Sequence, residues 1–347
     1  MNGWPRAHDS FDDLKALSVQ FGADPMHIQG AGGNSSIKSG DVMWIKASGT
    51  LLADAVKKDI FVATDLRKIR DALRAHDPIA DQPAEFLLPG GSGLRPSIET
   101  SLHAVFSQNI VLHSHCIHTL AHAVRQDAKA LLASRLGAFN WAFVDYAKPG
   151  ATLARRVGAV LKPETNVVIL GNHGLIVAAD SVAEVETLQS QVHAALALPL
   201  APVLRPNLNT LAQIAAGGKY APTEDLALHQ LALDPGRLRQ VTAGSLYPDH
   251  VIFCGIAVVE LMRDQTPEQA MAQAVDTGAP PPVWMLSAEH GALVRCDAAP
   301  PARIMMRCLA DVMARVPTEA RLTYLSSEQD IELLDWDAEK YRQQLNV

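Results

Sequence analysis

Two histidines one residue apart close an apolar run, Asn109-Ile110-Val111-Leu112-His113-Ser114-His115, and a third closes another, Val167-Val168-Ile169-Leu170-Gly171-Asn172-His173-Gly174. Both runs read as buried strands, and their unbroken apolar character reads as parallel strands covered on both faces. Residues i and i+2 of a strand project to one side, so His113 and His115 aim two imidazoles at one point beyond the carboxyl end of a sheet. If the second strand lies beside the first, His173 brings a third nitrogen. Three imidazoles around a divalent ion leave a coordination position open, which a catalytic zinc-type site requires. The bland alternative for any single histidine is a polar strand end bonded to backbone or water; the combination is what favours a metal. His118 and His122, four apart on the helix expected after His115, offer either competing ligands or an ordinary helix face.

Bulk properties narrow the function classes. At 347 residues and 48% hydrophobic content the chain can bury a large core, and two domains are expected, residues 1–200 and 201–347. Net charge is −7 without a basic block, which argues against nucleic acid or an anionic membrane as partner. The start, MNGWPRAHDSFDDLKAL, lacks a basic segment followed by an apolar one, and no apolar stretch reaches the ~20 residues needed to span a bilayer. A cytoplasmic protein is the expectation. Cys116, Cys254, Cys296 and Cys308 are widely spaced, which fits reduced thiols. Cys116 beside the histidines reads most simply as a small buried residue.

Ser10 to Phe21 reads as an amphipathic helix capped by Ser10. Gly30-Ala31-Gly32-Gly33-Asn34-Ser35-Ser36 then leads into a hairpin that turns at Ser39-Gly40-Asp41 and returns through Val42-Met43-Trp44-Ile45-Lys46. Such a glycine-rich turn is ordinarily just a turn. Converging N–H groups with Asn34, Ser35 and Ser36 nevertheless suit a phosphate or carboxylate, and Ala47-Ser48-Gly49-Thr50 gives a second small polar loop from the same hairpin. Pro96 and Ser97 are helix-start signals that place Glu99 in a first turn, where the helix dipole favours a carboxylate. Beside a metal that holds a hydroxy-ketone, the same carboxylate can move a proton and leave an enediolate.

Taken together, Gly33-Asn34-Ser35-Ser36, Ser48-Gly49, Pro96-Ser97-Ile98-Glu99, His113-Ser114-His115, Asp145-Tyr146-Ala147-Lys148-Pro149-Gly150 and Asn172-His173-Gly174-Leu175 resemble the class II aldolase/adducin family over about residues 10–200. Arg95-Pro96-Ser97-Ile98-Glu99-Thr100 and a long C-terminal extension are most similar to the aldolase part of bifunctional rhamnulose-phosphate aldolase/dehydrogenases. The resemblance implies a three-layer α/β/α domain with a central, mostly antiparallel sheet, against the parallel reading of the apolar runs, plus a smaller α/β C-terminal domain. It implies a metal on His113, His115 and His173, with Glu99 as the catalytic acid/base. It also implies substrate phosphate held by Asn34, Ser48, Gly49 and Ser97, with Gly33 and Arg95 as further contacts. Zn²⁺ suits three imidazoles, with Mn²⁺, Co²⁺ or Fe²⁺ as alternatives. The general acid for the leaving aldehyde often comes from a neighbouring subunit in such enzymes; Tyr146 is the candidate within this chain.

Two positions depart from the pattern. Ala31 and Ile98 stand where the phosphate-ketose aldolases often carry Thr and Ser, so the anion pocket lacks two hydroxyl donors, and a phosphate deprived of donors binds poorly. The departure points to a different phosphorylated acid, a carboxylate or an unphosphorylated sugar acid held partly by Arg95, where the resemblance as a whole implies a ketose phosphate or a sugar-acid derivative. The implied reaction is retro-aldol cleavage through a metal-bound enediolate in a homo-oligomer. A decarboxylase or 4-epimerase on the same site, a non-catalytic adducin-like interaction module and a metal-bound small-molecule sensor are the alternatives. Beyond the proline-rich linker 199–207, the sequence suggests helices near 225–233 and 301–315 and strands near 250–260 and 282–296. A last helix near 327–345 is expected, capped by Ser327 with Asp330. Tyr247-Pro248-Asp249-His250 reads as a turn before a strand. No second active site emerges from this part of the sequence.

Overall fold

The computed structural model describes residues 10–90, 93–276 and 279–335. The opening nine residues that entered the targeting expectation, and the part of the expected last helix beyond 335, lie outside the described residues. Two compact units form: residues up to Ala123 together with 128–197, and the four residues 124–127 together with those from Leu198 onward.

The first unit contains α1 (Phe11–Gly22), β1 (Asn34–Ser39), β2 (Val42–Lys46), β3 (Phe61–Asp65), α2 (Leu66–Arg74), α3 (Thr100–Ala104), β4 (Ile110–Ser114) and α4 (Ile117–Ala123). It continues with α5 (Ala128–Arg135), β5 (Trp141–Val144), α6 (Ala151–Val160), β6 (Val167–Leu170), β7 (Gly174–Ala179) and α7 (Val182–Ala195). Its seven strands lie in the order β3-β2-β1-β4-β7-β6-β5. Every pairing is antiparallel except β5 with β6, so the mostly antiparallel sheet holds and the parallel reading of the apolar runs does not. Helices cover both faces of this sheet, and either strand direction is then apolar throughout. The strand ending before His173 is not the neighbour of β4; β7 is, with His113 opposite Ile176 and Ser114 opposite Leu175.

Alternation along the strands sorts the core into two layers. Ile37, Trp44, Ile110, Leu112, Val167, Ile169, Leu175 and Val177 pack with Leu14, Leu17 and Phe21 of α1 and Val185 and Val192 of α7. Met43, Ile45, Val62, Val111, Val168, Leu170, Ile176 and Ala178 pack with Ile69 of α2, Leu102 of α3 and Val157 of α6. Each such fully buried side chain contributes about 1.5–3 kcal/mol. A one-residue slip would turn the whole set inside out, so the register is strongly specified. Ser181 caps α7 in a reciprocal box with Glu184. Ser10, by contrast, makes no side-chain cap bond to α1, and Asp12 and Asp13 supply the acidic first turn there instead.

The second unit holds α8 (Leu208–Ile214), β8 (Tyr220–Pro222), α9 (Leu226–Leu233), α10 (Pro235–Thr242), α11 (Pro248–Cys254) and β9 (Val259–Leu261). It is completed by α12 (Pro267–Asp276), β10 (Trp284–Ser287), β11 (Gly291–Arg295), α13 (Pro300–Met313) and α14 (Ser327–Leu334). Its sheet runs β8-β11-β10-β9, over a core of Leu211, Tyr220, Met285 and Leu293. Three expectations need correction. Pro248 opens a helix at its first position rather than a turn, so the strand expected from 250 shrinks to Val259–Leu261; burial of Val251, Ile252 and Cys254 overrides their strand propensity. The run 282–296 is a hairpin, β10 against β11, with Glu289 at φ 63° in its turn. The last helix is capped by Ser326 with Gln329, one position earlier than expected.

Candidate metal centre

The three histidines converge where the end of β4 meets the start of β7. His113 and His115 share a side of the sheet end, and the turn Gly171-Asn172-His173 swings His173 toward them. Asn172 takes φ 55° there, a left-handed conformation that asparagine tolerates better than most residues. Gly174 is needed beside it, because a Cβ would collide with the carbonyl oxygen of Ser114. Ring centroids lie 5.0 Å apart for His113 and His115, 4.9 Å for His113 and His173 and 5.4 Å for His115 and His173.

Glu99 completes the cluster. It sits immediately before α3, one residue short of the first turn expected from Pro96-Ser97, because the Ser97 hydroxyl and carbonyl hold the chain in a turn: Glu99 N donates to Ser97 Oγ at 3.2 Å and Thr100 Oγ1 donates to Ser97 O at 2.6 Å. Its Oε2 accepts from Asn34 Nδ2 at 2.5 Å. The same Oε2 stands 3.5 Å from His113 Nε2, and Oε1 stands 3.5 Å from His173 Nε2. Glu99 is 5% exposed and His113 0%.

A tetrahedral ion with metal–nitrogen bonds of about 2.0–2.1 Å keeps its nitrogens about 3.3–3.4 Å apart. His113 Nε2 and His115 Nε2 are 3.2 Å apart. His113 Nδ1 meets the Leu175 carbonyl at 3.1 Å; a proton on that nitrogen leaves the Nε2 lone pair for an ion, the usual arrangement behind a metal-bound imidazole. The side chains present therefore fit a divalent ion. His118 and His122 do not join them: the ring of His118 packs 4.8 Å from that of His193, and His122 Nε2 meets the Leu196 carbonyl at 3.1 Å.

The two polar loops also come together. Lys46, 2% exposed, donates through Nζ to Ala31 O at 2.7 Å and Thr50 O at 2.9 Å. Ser48 N donates to Arg95 O and Ser97 N to Lys46 O, so these two N–H groups are spent on backbone. Asn34, expected in the phosphate cradle, gives its amide to Glu99. Ser48 and Gly49 are half-buried, Arg95 is exposed, and Tyr146 is half-buried on the loop after β5. Gly33, at φ 63°, lies against the carbonyl oxygen of His113, where a Cβ would stand 2.8 Å away.

Residues 17–198 match the model of the family described as Class II Aldolase and Adducin N-terminal domain. The chain belongs to the class II aldolase/adducin family. Among curated relatives, "Uncharacterized oxidoreductase YuxG" of Bacillus subtilis (strain 168) is 28% identical over 180 residues, which is 48% of this chain and 26% of that protein. The L-fuculose phosphate aldolase of Methanococcus maripaludis (strain C5 / ATCC BAA-1333) is 26% identical over 169 residues, 46% of this chain and 80% of that one. Of solved structures, the N-terminal class II aldolase domain of a conserved protein from Thermoplasma acidophilum is 24% identical. It covers 56% of this chain and 97% of that one, with a TM-score of 0.49.

Three residues around this strand end and its loops escape a reading of the sequence. Lys46 ties the two loops. His103, fully buried with Nδ1 2.8 Å from Ser36 Oγ, is held well below the usual histidine range by burial, then by His113 and Lys38. Gln189 spans His27 Nδ1 and Ser114 Oγ at 2.9 Å each. His103 alone left a signal, lying four residues past Glu99 at helical spacing.

Proposed function

We propose that the protein is a metal-dependent lyase that cleaves a ketose phosphate or a related sugar-acid derivative by a retro-aldol step. The observation that carries the reading is the buried Glu99 carboxylate in contact with two of the three histidines, both oxygens at 3.5 Å. Membership of the class II aldolase/adducin family and the likeness to an L-fuculose phosphate aldolase support it.

A divalent ion held by His113, His115 and His173, with Zn²⁺ the best match to three imidazoles, supplies Lewis-acid polarisation of the substrate's hydroxy-ketone. The Glu99 carboxylate takes the proton of the hydroxyl that becomes the aldehyde as the carbon–carbon bond breaks and its electron pair moves toward the ketone oxygen, and the carboxylic acid so formed returns that proton to carbon. Asn34 fixes the carboxylate for that task through its 2.5 Å bond to Oε2. Burial of Glu99 and the histidines keeps bulk water from competing for the proton. Among the described residues, Ser48 Oγ, Gly49 N and the Ser97 hydroxyl hydrogen are donors not spent within the protein, and with Arg95 they form the anion-holding side of the site. That donor set suits a phosphate or carboxylate at a partly open mouth.

The test is elemental analysis of untagged protein beside His115→Ala, followed by a screen of ketose phosphates and sugar acids for aldehyde release. About one equivalent of ion lost in the variant, with aldehyde formed only by wild type, is expected. Release of carbon dioxide or an inverted hydroxyl without aldehyde would overturn the retro-aldol assignment.

A further inference from the structure

Behind the strand end that carries His113 and His115, a second group of ligand-type side chains meets on the opposite side of the sheet. Leu112 and Ser114 alternate away from the metal histidines, and Cys116 continues that side into the layer of α1 and α7. Cys116 Sγ stands 3.4 Å from Nδ1 of His193, on α7. The His27 ring, from the loop after α1, lies 4.4 Å from the His193 ring. One ligand atom from each of Cys116, His27 and His193 falls within 4.8 Å of the others; the first two residues are buried and His193 is half-buried.

We infer that Cys116, His27 and His193 form a second metal site, taking one zinc-class ion and distinct from the three-histidine centre. With metal–sulfur bonds near 2.3 Å and metal–nitrogen bonds of about 2.0–2.1 Å, a tetrahedral ion sets sulfur and nitrogen about 3.6 Å apart, close to the distance between Cys116 and His193. A thiolate with two imidazoles is a soft donor set that selects zinc or cobalt over magnesium or calcium. Gln189 Nε2 stands 2.9 Å from both His27 Nδ1 and Ser114 Oγ while Gln189 Oε1 is buried without a partner; with the amide turned over, Oε1 accepts from His27 Nδ1–H and from the Ser114 hydroxyl, which leaves His27 Nε2 for an ion. That is the outer hydrogen bonding typical of metal-bound histidine. Asp24 Oδ2, 3.9 Å from His27 Nε2, adds an anionic oxygen on that side. Burial, then His193, and against them Asp24, leave His27 pushed down to about 4, so its ring is neutral and ligand-competent at neutral pH.

Binding replaces the thiol S–H bond by a sulfur–metal bond and releases one proton to solvent. The ion then cross-links three segments: the loop holding Asp24 and His27, the residue that follows the H-x-H pair, and α7. The site steadies the scaffold on which His113 and His115 stand.

Co²⁺ titration of the metal-stripped full chain tests this, because only a thiolate ligand gives an intense sulfur-to-cobalt charge-transfer band in the near ultraviolet. Wild type is expected to take up about two equivalents and develop that band. Cys116→Ser should lose the band and one equivalent, His115→Ala should lose the other equivalent and keep the band, and Cys296→Ser, at an exposed thiol, should keep both. His193→Gln, altering a half-buried helix position, guards against a folding defect at Cys116 and is expected to lose the band while circular dichroism stays unchanged. A wild type without the band, or a band that survives Cys116→Ser, overturns the second site. Failure of the three-histidine reading would show separately, as a missing band-free equivalent.

Discussion

Gly33→Ala strikes the join between the glycine-rich loop and the metal strand, and its cost divides into two parts that a second variant separates. At φ 63° an alanine pays for a left-handed backbone, about 1–2 kcal/mol. Its Cβ would also stand 2.8 Å from the His113 carbonyl oxygen and 3.1 Å from Ile28 Cδ1, where ordinary contacts begin at 3.4 Å. The strand or the loop must therefore shift by about 0.6 Å, and such overpacking typically costs a further 1–3 kcal/mol. Gly40 has a matching φ of 57° with nothing within 4 Å of its would-be Cβ, so Gly40→Ala carries the backbone part alone. The unfolded-chain effect of removing a glycine is shared by both and cancels in the difference. In a unit of this size each kcal/mol moves the melting point by about 2–4 °C. Gly33→Ala should melt roughly 4–20 °C below wild type and several degrees below Gly40→Ala, as read by calorimetry. Displacing His113 should also weaken Zn²⁺ binding by about tenfold or more, measured by competition with a chelator. Equal melting points for the two variants, with metal affinity retained in both, would refute the close approach on which the argument rests.

Glu99→Gln should retain its metal and lose about 10²–10⁴-fold in turnover; a variant as active as wild type would remove Glu99 from its role. His173→Ala should weaken metal binding far more than His118→Ala, whose ring packs on His193 instead, and the reverse order in a zinc titration would mean the ligands were misassigned. Lys46→Met leaves the Ala31 and Thr50 carbonyls without their buried donor. It is expected to cost about 2–4 kcal/mol and to expose residues 30–33 and 47–50 to limited proteolysis; an unchanged cleavage pattern would show that the loops need no tie. His250, pushed down to about 4 by burial, stays neutral in the folded second unit, while the unfolded chain takes up a proton near the ordinary value of 6.5. Between those values the unfolded state binds more protons, so stability falls as pH drops from about 6.5 to 4 by roughly 3 kcal/mol. His250→Leu should flatten that part of the melting-point profile, and an identical acid dependence would locate the titrating group elsewhere.

How far the sequence reveals the molecule depends on how local each cause is. The H-x-H pair is legible because strand alternation alone puts two side chains on one face, and the later His-Gly marks a turn beside it. Strand direction is not legible, since Ile110–Leu112 and Val167–Leu170 are apolar on both faces whether their neighbours run parallel or antiparallel. The hairpin β1–β2 can be read from Gly40 and Asp41, whereas α11 cannot: Val251 and Ile252 favour strand locally, and only packing on every side makes that segment a helix. Lys46 ends a strand whose pattern gives no reason to bury an ammonium; its partners, Ala31 O and Thr50 O, are backbone atoms of loops that meet only after folding.

The same distinction explains why the cluster behind β4 is invisible in one dimension. His27 and His193 are isolated histidines in unremarkable surroundings, one after a helix and one near the end of another, and nothing in their spacing relates them to Cys116. What joins them is the parity of one strand. Because His113 and His115 must face the layer that contains Glu99, Ser114 and Cys116 must face the layer of α1 and α7, where Gln189 reaches Ser114 Oγ and His193 reaches Cys116 Sγ. Any substitution that reorients this strand end to suit one face disturbs the other. The two groups should therefore respond together to changes at Ser114: Ser114→Val removes the hydroxyl that anchors Gln189 and frees the amide that holds His27, without touching an imidazole. Weaker ion binding behind β4 in that variant, with the three-histidine ligands chemically intact, is the outcome that strand parity requires.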